Sequence, residues 1–539
     1  MSREFKTSLA LCLLAVSMAG LLFVHRLWSS GDNLDYLLFA RSLQHGEWGA
    51  ILGWRFPPGY PLLLSVVFAL CGCVLPLGLF TVPEEAFLAA KLFGLVCFPL
   101  AVIAVYRVCR RTQDSAAPAV MVAALFAVNQ DAAVYATFIS TEIPYTVLSM
   151  AALIFWLRAA EEAPARLRAA VGASVLTLAA ISLRGVGISL AVAAALPVLW
   201  ASRDSKRLAR GVLALMPLVI YLLFSYWAAG NQAHMQQVVE SEPLRDGIAM
   251  PLVPRIIGNA TRYSRATAGM LVPKVLGEQG LLSLVHLQSV TPVYIIAMLA
   301  LVVAGFVRAA IRQRCGVAEW YVVGYLGILL LWPHHDSRFL LPVLPLILGY
   351  FLNGLHAFIG FLKRRRPFQR VREDVCLRMV FLALLSWGIF TNAFAGAKNW
   401  RHIRALADRP PWAPERYEVA RENEFAEQMR MAEWIGENMP PGVPVFCNKA
   451  LFVELVAHRP ALYFPVGHEP EETWRLMRER AQGQEWCILK DVFSPASSYG
   501  RRRVRFLDPV IERYAGQVEL VQEGRGGARL YRVRSGLIE

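Results

Sequence analysis

The chain has 539 residues, is 56% hydrophobic and has a mean hydropathy of +0.43. That is too apolar for a soluble globular protein, in which apolar residues including glycine make up about half of the total. The net charge of +15 would suit nucleic acid, but the basic residues recur in short clusters between apolar runs, the pattern of membrane topology rather than of a DNA-binding face.

Long apolar segments fall at about 7–28, 60–80, 88–106, 118–137, 143–157, 168–183, 186–201, 211–229, 283–307, 319–332, 339–362 and 376–396. About 20 helical residues cross a ~30 Å hydrocarbon core, so the reading is a polytopic α-helical membrane protein of about 11–13 transmembrane helices. Arg3 and Lys6, then the clusters at Arg107/Arg110/Arg111, Arg158/Arg166/Arg168, Arg203/Lys206/Arg207/Arg210, Arg308/Arg312/Arg314 and Lys363 to Arg366, mark alternate connections as cytoplasmic. The alternation holds only if 60–80, interrupted by Cys71-Gly72-Cys73 and Pro76, dips into the membrane as a broken hairpin. Eleven spans and an external C-terminus follow, whereas an even count would place the C-terminal domain inside. Residues 7–28 read as an uncleaved first span, with no clear small-residue cleavage site.

Beyond about residue 397 charged residues return. "EFAEQMRMAEWIGENMP" reads as a surface helix, "EPEETWRLMRER" as a second, and "VPVFC", "ALYFP", "WCILKD", "VELVQE" and "ARLYRV" as strands. The expected division is a membrane domain over 1–396 and a C-terminal α/β soluble domain over 397–539. Cys447 and Cys487 each sit in a strand candidate, as a disulfide or as two buried thiols. Zinc spacings and Gly-rich phosphate loops are absent from the sequence.

The external stretches 29–60, 230–282 and 333–338 are more polar than connectors need to be, and function in polytopic enzymes sits on such loops. Asp32 and Asp35 open the amphipathic run "LDYLLFARSLQHG", as catalytic carboxylates or as helix caps. Glu142, in "FISTEIPY", is a carboxylate at a span mouth, expensive there unless a polar cavity receives it. Arg55, Arg184, Lys274, Arg265 and Arg338 are cations on the side where topology disfavours them. Each either snorkels to headgroups or, converging with others, binds phosphate. His334 and His335 could donate to the same anion, or pair with the adjacent Asp336.

Together, "GDNLDYLLFARSLQHGEW", "FPPGYPLLL" with Tyr60, "FISTEIPYTVL", "HHDSRFLLPVLPLIL", "MAEWIGENMPPGVPVF" and "HRPALYFP" resemble the polytopic glycosyltransferases of the GT-C class, on the side of the bacterial relatives of protein O-mannosyltransferases and the lipid A aminoarabinose transferase. The resemblance implies sugar transfer from a polyprenyl-phosphate donor to a lipid, polysaccharide or protein acceptor on the outer face of the cytoplasmic membrane. It maps the family's essential first-loop aspartate onto Asp32 and its lipid-phosphate arginine onto Arg338. The family's Asp-Glu is Asp32-Asn33 here, which leaves Asp35 or Glu142 to supply a second acid. An in-line displacement with Asp32 as base would invert the anomeric centre. No cofactor and no nucleic-acid partner are expected, and the absence of an Asp-x-Asp pair leans towards metal independence. A transporter or flippase of a lipid-linked saccharide is the rival reading; it would favour mid-membrane ionisable residues and an internal repeat.

Overall fold

The structure is a computed structural model that describes residues 2–23, 32–47, 57–77, 82–113, 115–160, 166–201, 207–228, 252–271, 291–313, 316–332, 336–364, 372–405, 414, 423–465, 469–493 and 503–533. The membrane part comprises α1 (Arg3–Leu22), α2 (Asp32–Gln44), α3 (Gly59–Leu70), α4 (Glu84–Thr112), α5 (Ala116–Ala127), α6 (Gln130–Ala136), α7 (Glu142–Ala160), α8 (Arg166–Leu183), α9 (Ile188–Ala201) and α10 (Arg207–Ala228). It continues with α11 (Leu252–Leu271), α12 (Thr291–Gln313), α13 (Val317–Leu331), α14 (Leu344–Lys363) and α15 (Glu373–Ala405). Each of the twelve apolar segments finds its helix, or for 118–137 a helix pair. Among the described residues seven helices are long and apolar enough to cross a membrane, and the pair α5 and α6, bent by 60°, is an eighth if it is one span.

The chain is a multi-pass membrane protein, and its surface shows why. Val212, Val219 and Leu223 of α10, Val293, Ile296 and Val303 of α12, and Met379, Phe390 and Phe394 of α15 are all exposed. Water would not tolerate apolar faces of that extent, whereas lipid does.

Segment 60–80 departs from the others. Helix α3 has 12 residues, about 18 Å, which is too short to cross alone. It runs along α2: the Tyr60 and Tyr36 rings meet edge to face at 4.9 Å. Beyond its other end, Gln44 Nε2 donates to Cys73 O at 2.8 Å and His45 Nε2 to Leu75 O at 2.7 Å. Gly72, at φ +68°, reverses the chain between them. Leu62, Val66 and Leu70 form one exposed stripe, the face an interfacial helix lays into acyl chains.

Helix α5 stops inside the bundle because Asn129 ends it and starts the next helix, its side chain accepting from Ala132 N at 3.0 Å. A break at membrane depth frees backbone groups that lipid cannot satisfy. Here Asn392 of α15, fully buried, donates Nδ2 to Val128 O at 2.8 Å, and Asn129 donates to Met270 O at 3.0 Å. The redirected α6 lies against α4, where Gly94 admits the Ala136 carbonyl 2.7 Å from the position of a Cβ.

The C-terminal domain contains α16 (Asn423–Asn438), α17 (Ala450–Ala457), α18 (Pro470–Arg480), α19 (Asp508–Arg513) and a five-stranded sheet. The strands are β1 (Val445–Cys447), β2 (Ala461–Tyr463), β3 (Trp486–Lys490), β4 (Val518–Glu523) and β5 (Arg529–Val533), in the order β2-β1-β3-β5-β4. All five expected strands are present. Strand β1 is parallel to β2 and β3, while β5 is antiparallel to β3 and β4. Alternation places Val445 and Cys447 against Met431 and Ile435 of α16, and Phe446 against Trp474 and Trp486 on the other face. Cys447 and Cys487 are two buried thiols rather than a disulfide. Helix α15 runs on to Ala405, past the expected boundary at 396/397.

The domain docks through α17. Its Leu451, Phe452 and Leu455 belong to the same buried cluster as Leu34 and Leu37 of α2. Helix α2, the amphipathic run of the sequence, is buried between α3 and this domain, with Leu34, Leu37 and Ala40 at 0% exposure.

Behind the sheet, Asp491 is buried and its carboxyl is pushed up to about 6 by desolvation, against the hydrogen bond from Asn448 and the nearby Arg503. A carboxyl raised above its unfolded value near 3.9 adds stability that is complete below that value and lost as pH rises through about 6. Relative to Asp491→Asn, the wild-type protein should therefore lose thermal stability between about pH 4 and pH 6. Melting curves of both proteins in detergent across that range test this; a difference that does not change with pH would refute it.

Candidate active site

Three charged side chains singled out in the sequence meet at one end of the bundle. Glu142 opens α7 and is 2% exposed. Arg184 follows α8, and Arg338 lies in the 3-10 turn Ser337–Leu340 that leads into α14. The Glu142 carboxylate stands 2.7 Å from Arg184 Nη1 and 3.7 Å from Arg338 Nε, while Arg338 Nε is 3.1 Å from Asp336 Oδ2. Both arginines lie against the ring of Phe339, with guanidinium carbons 5.2 and 5.3 Å from its centroid, a cation–π arrangement worth more when desolvated.

Backbone geometry sets each member. The break after α5 and the turn at 137–141 aim Glu142 inward. Asp336 caps the 3-10 turn, accepting from Arg338 N at 3.0 Å. Tyr325, buried in α13, donates to Phe339 O at 2.7 Å and fixes the turn from beneath. Gly59 places the start of α3 on the end of α8, where a Cβ would lie 2.6 Å from Ser182 O. This brings buried Tyr60 to the same region as Arg184.

Of the other expected site residues, Asp32 is the first residue of α2, and Asp35 is half-buried one turn later. Arg55, Lys274, His334 and His335 lie outside the described residues. Among the described residues no group of three His, Cys, Asp or Glu side chains could hold a metal ion.

Two features of the membrane domain escaped the sequence reading. Helix α11 lies within 230–282, which was read as a loop. Its Asn259 donates Nδ2 to Trp332 O at 2.7 Å and Leu330 O at 3.1 Å, and Arg255 donates to Leu331 O at 3.4 Å. The helix thereby caps the end of α13 just before the Asp336–Arg338 turn. The second is Lys91 of α4, 1% exposed, with Nζ over the rings of Phe23 at 5.5 Å and Phe87 at 5.4 Å. A lone lysine inside the 88–106 apolar run was its signal.

No protein-family profile matches the sequence, and no curated protein matches it as a relative. Solved structures do match. The apo oligosaccharyltransferase of Archaeoglobus fulgidus superposes with a TM-score of 0.54 at 12% identity, over 94% of this chain and 72% of that one. ArnT from Cupriavidus metallidurans in the apo state gives a TM-score of 0.50 at 16% identity, over 98% of each chain. The chain has the GT-C glycosyltransferase fold. A third structure of that fold is AglB from A. fulgidus in complex with an inhibitory peptide and a dolichol-phosphate, at a TM-score of 0.50 and 14% identity over 94% of this chain and 72% of that one. The match to ArnT runs through the C-terminal domain, so the GT-C fold and its soluble appendage go together here.

Proposed function

We propose that this protein transfers a sugar from a polyprenyl-phosphate carrier to an acceptor hydroxyl at the outer face of the cytoplasmic membrane. The observation that carries the reading is the pair of arginines, Arg184 and Arg338, held on buried Glu142. Glu142 and the more exposed Asp336 balance the two guanidinium charges, so what the cluster offers at a membrane-domain end is two arginine forks held in fixed positions. A phosphate headgroup would be received there by paired charge-assisted hydrogen bonds.

In the proposed reaction Asp32 takes the proton of the acceptor hydroxyl, whose oxygen forms the new bond to the anomeric carbon. The bond from that carbon to the phosphate oxygen breaks, and the polyprenyl phosphate departs with the electron pair. Its charge is balanced by Arg184 and Arg338, the role of preorganised cations at a leaving oxygen. Attack opposite the leaving group inverts the anomeric centre. A positioned base contributes about 10²- to 10⁴-fold. Glu142, engaged by both guanidinium groups, orients them, and Asp35 or the acceptor's own neighbours complete the polar wall. The AglB structure with dolichol-phosphate supports a lipid-phosphate donor by likeness of fold. The acceptor is a lipid, a polysaccharide or a protein, with the C-terminal domain placed over α2 to meet it.

The test compares membranes containing wild-type protein with membranes containing Asp32→Asn, by mass spectrometry of polyprenyl-phosphate sugars and surface glycans. Loss of one glycan together with a build-up of one lipid-linked sugar supports transfer, and the mass names the sugar. Unchanged profiles at equal protein level overturn it and favour transport.

A further inference from the structure

Helix α14 starts just after the Arg338 turn and runs 20 residues, about 30 Å, to the opposite end of the bundle. There α12, α14 and α15 leave a cleft of about 680 Å³ lined by Arg308, His356, Phe361, Lys363, Arg364 and Glu373. The helix crossing builds it. At Gly305 and Gly354 the backbones of α12 and α14 touch, and a Cβ at either would collide with a carbonyl oxygen of the other helix. Arg308, three residues past one glycine, and His356, two past the other, are therefore held on adjoining walls. Gly360 forms the floor, with Glu373 Oε1 2.5 Å from the position of its absent Cβ.

Three permanent cations and a histidine face a single acid. On the outward side Ile311, Phe358 and Phe361 are 76%, 48% and 52% exposed, an apolar wall continuous with the charged rim. A soluble anion has no use for that wall, whereas the acyl chains of a lipid do. We propose that this cleft binds the phosphodiester headgroup of an anionic glycerophospholipid, with its chains along α12 and α14. Arg308 and Arg364 offer planar forks to the phosphate oxygens and Lys363 a point charge, the arrangement of basic pockets between membrane helices that select anionic headgroups. The site is a helix length from Arg338 and does not depend on the transfer reading.

The experiment reconstitutes full-length protein in phosphatidylcholine nanodiscs doped with phosphatidylglycerol and measures retained phosphatidylglycerol by native mass spectrometry. The triple variant R308Q/K363Q/R364Q should bind phosphatidylglycerol at least about tenfold more weakly, while R107Q/R110Q/R111Q, which neutralises the last turn of α4, should bind as wild type does. Glu373→Gln removes the opposing charge and should bind more tightly, a gain that misfolding cannot imitate. Equal losses in both triple variants would mean only unspecific surface attraction and would overturn the site. So would retention unchanged by Glu373→Gln, or protection by inorganic phosphate in detergent equal to that by the lipid.

Discussion

Glu142→Gln is expected to abolish transfer and to lower stability by about 3 kcal/mol, because it leaves Arg184 and Arg338 close together without the carboxylate between them. The carboxylate is 3% exposed, and the two arginine side chains are 14% and 19% exposed, so the loss falls at the low end of what breaking a buried pair costs. The effect on rate should exceed the effect on stability. Both guanidinium groups lie against the same Phe339 ring, and a displacement of about 1 Å at groups that bind the leaving phosphate costs on the order of 100-fold. Glu142→Asp separates the two effects. It keeps the charge and so most of the stability, yet its shorter side chain cannot hold both arginines, and turnover should stay low. Melting temperature in detergent and transfer from a lipid-linked donor, measured on both variants, check this. Near-wild-type turnover in Glu142→Gln would remove Glu142 from the site.

How much of this was legible depended on the range of the signal. Spans announce themselves through some twenty contiguous apolar residues, and the strands of the C-terminal domain through short runs bounded by turn residues, so both were found. The ion pairs were not. Glu142, Arg184 and Arg338 each stood out as a charge at a span end, but their partnership is made by α7, α8 and the turn before α14 meeting in space. Helix α11 was missed for a different reason. Arg255, Asn259, Tyr263 and Thr267 recur every four residues and are buried, while Val253 and Ile257 are exposed. The first two turns of this helix are amphipathic inside out, with Arg255 and Asn259 towards the protein and Val253 and Ile257 outward, while Thr261, Arg262 and Arg265 are exposed further along. Periodicity reports the stripe, but which side faces inward is decided by whether the surroundings are lipid or water. Within a stretch read as a solvent-facing loop, that distinction was lost. The 60–80 segment was readable because Gly72 and Pro76 interrupt it, and the resulting short α3 beside α2 has that cause.

The close crossing of α12 and α14 carries the other large effect. Gly305 of α12 meets the Tyr350 carbonyl of α14, and Gly354 of α14 meets the Leu301 carbonyl of α12. This is the reciprocal close approach that small residues permit between membrane helices. Even one methyl group at Gly305 would overlap a backbone atom that no rotamer change can move, so Gly305→Ala should destabilise the protein by about 3 kcal/mol or more. The same change at Gly327 of α13, where a Cβ meets nothing within 4 Å, should be neutral or add up to about 1 kcal/mol by helix propensity. The two substitutions are chemically identical and both lie in apolar helices, so a contrast between them isolates the crossing. Activity should fall along with stability in Gly305→Ala, because α14 continues directly from the turn that carries Arg338 and any parting of α12 from α14 is transmitted to that guanidinium. Size-exclusion profiles and melting curves in detergent for the two variants decide the matter. A Gly305→Ala protein that purifies and melts like wild type would show that the helices do not touch there. The basic cleft beyond the crossing would then lose the geometry that holds Arg308 beside His356.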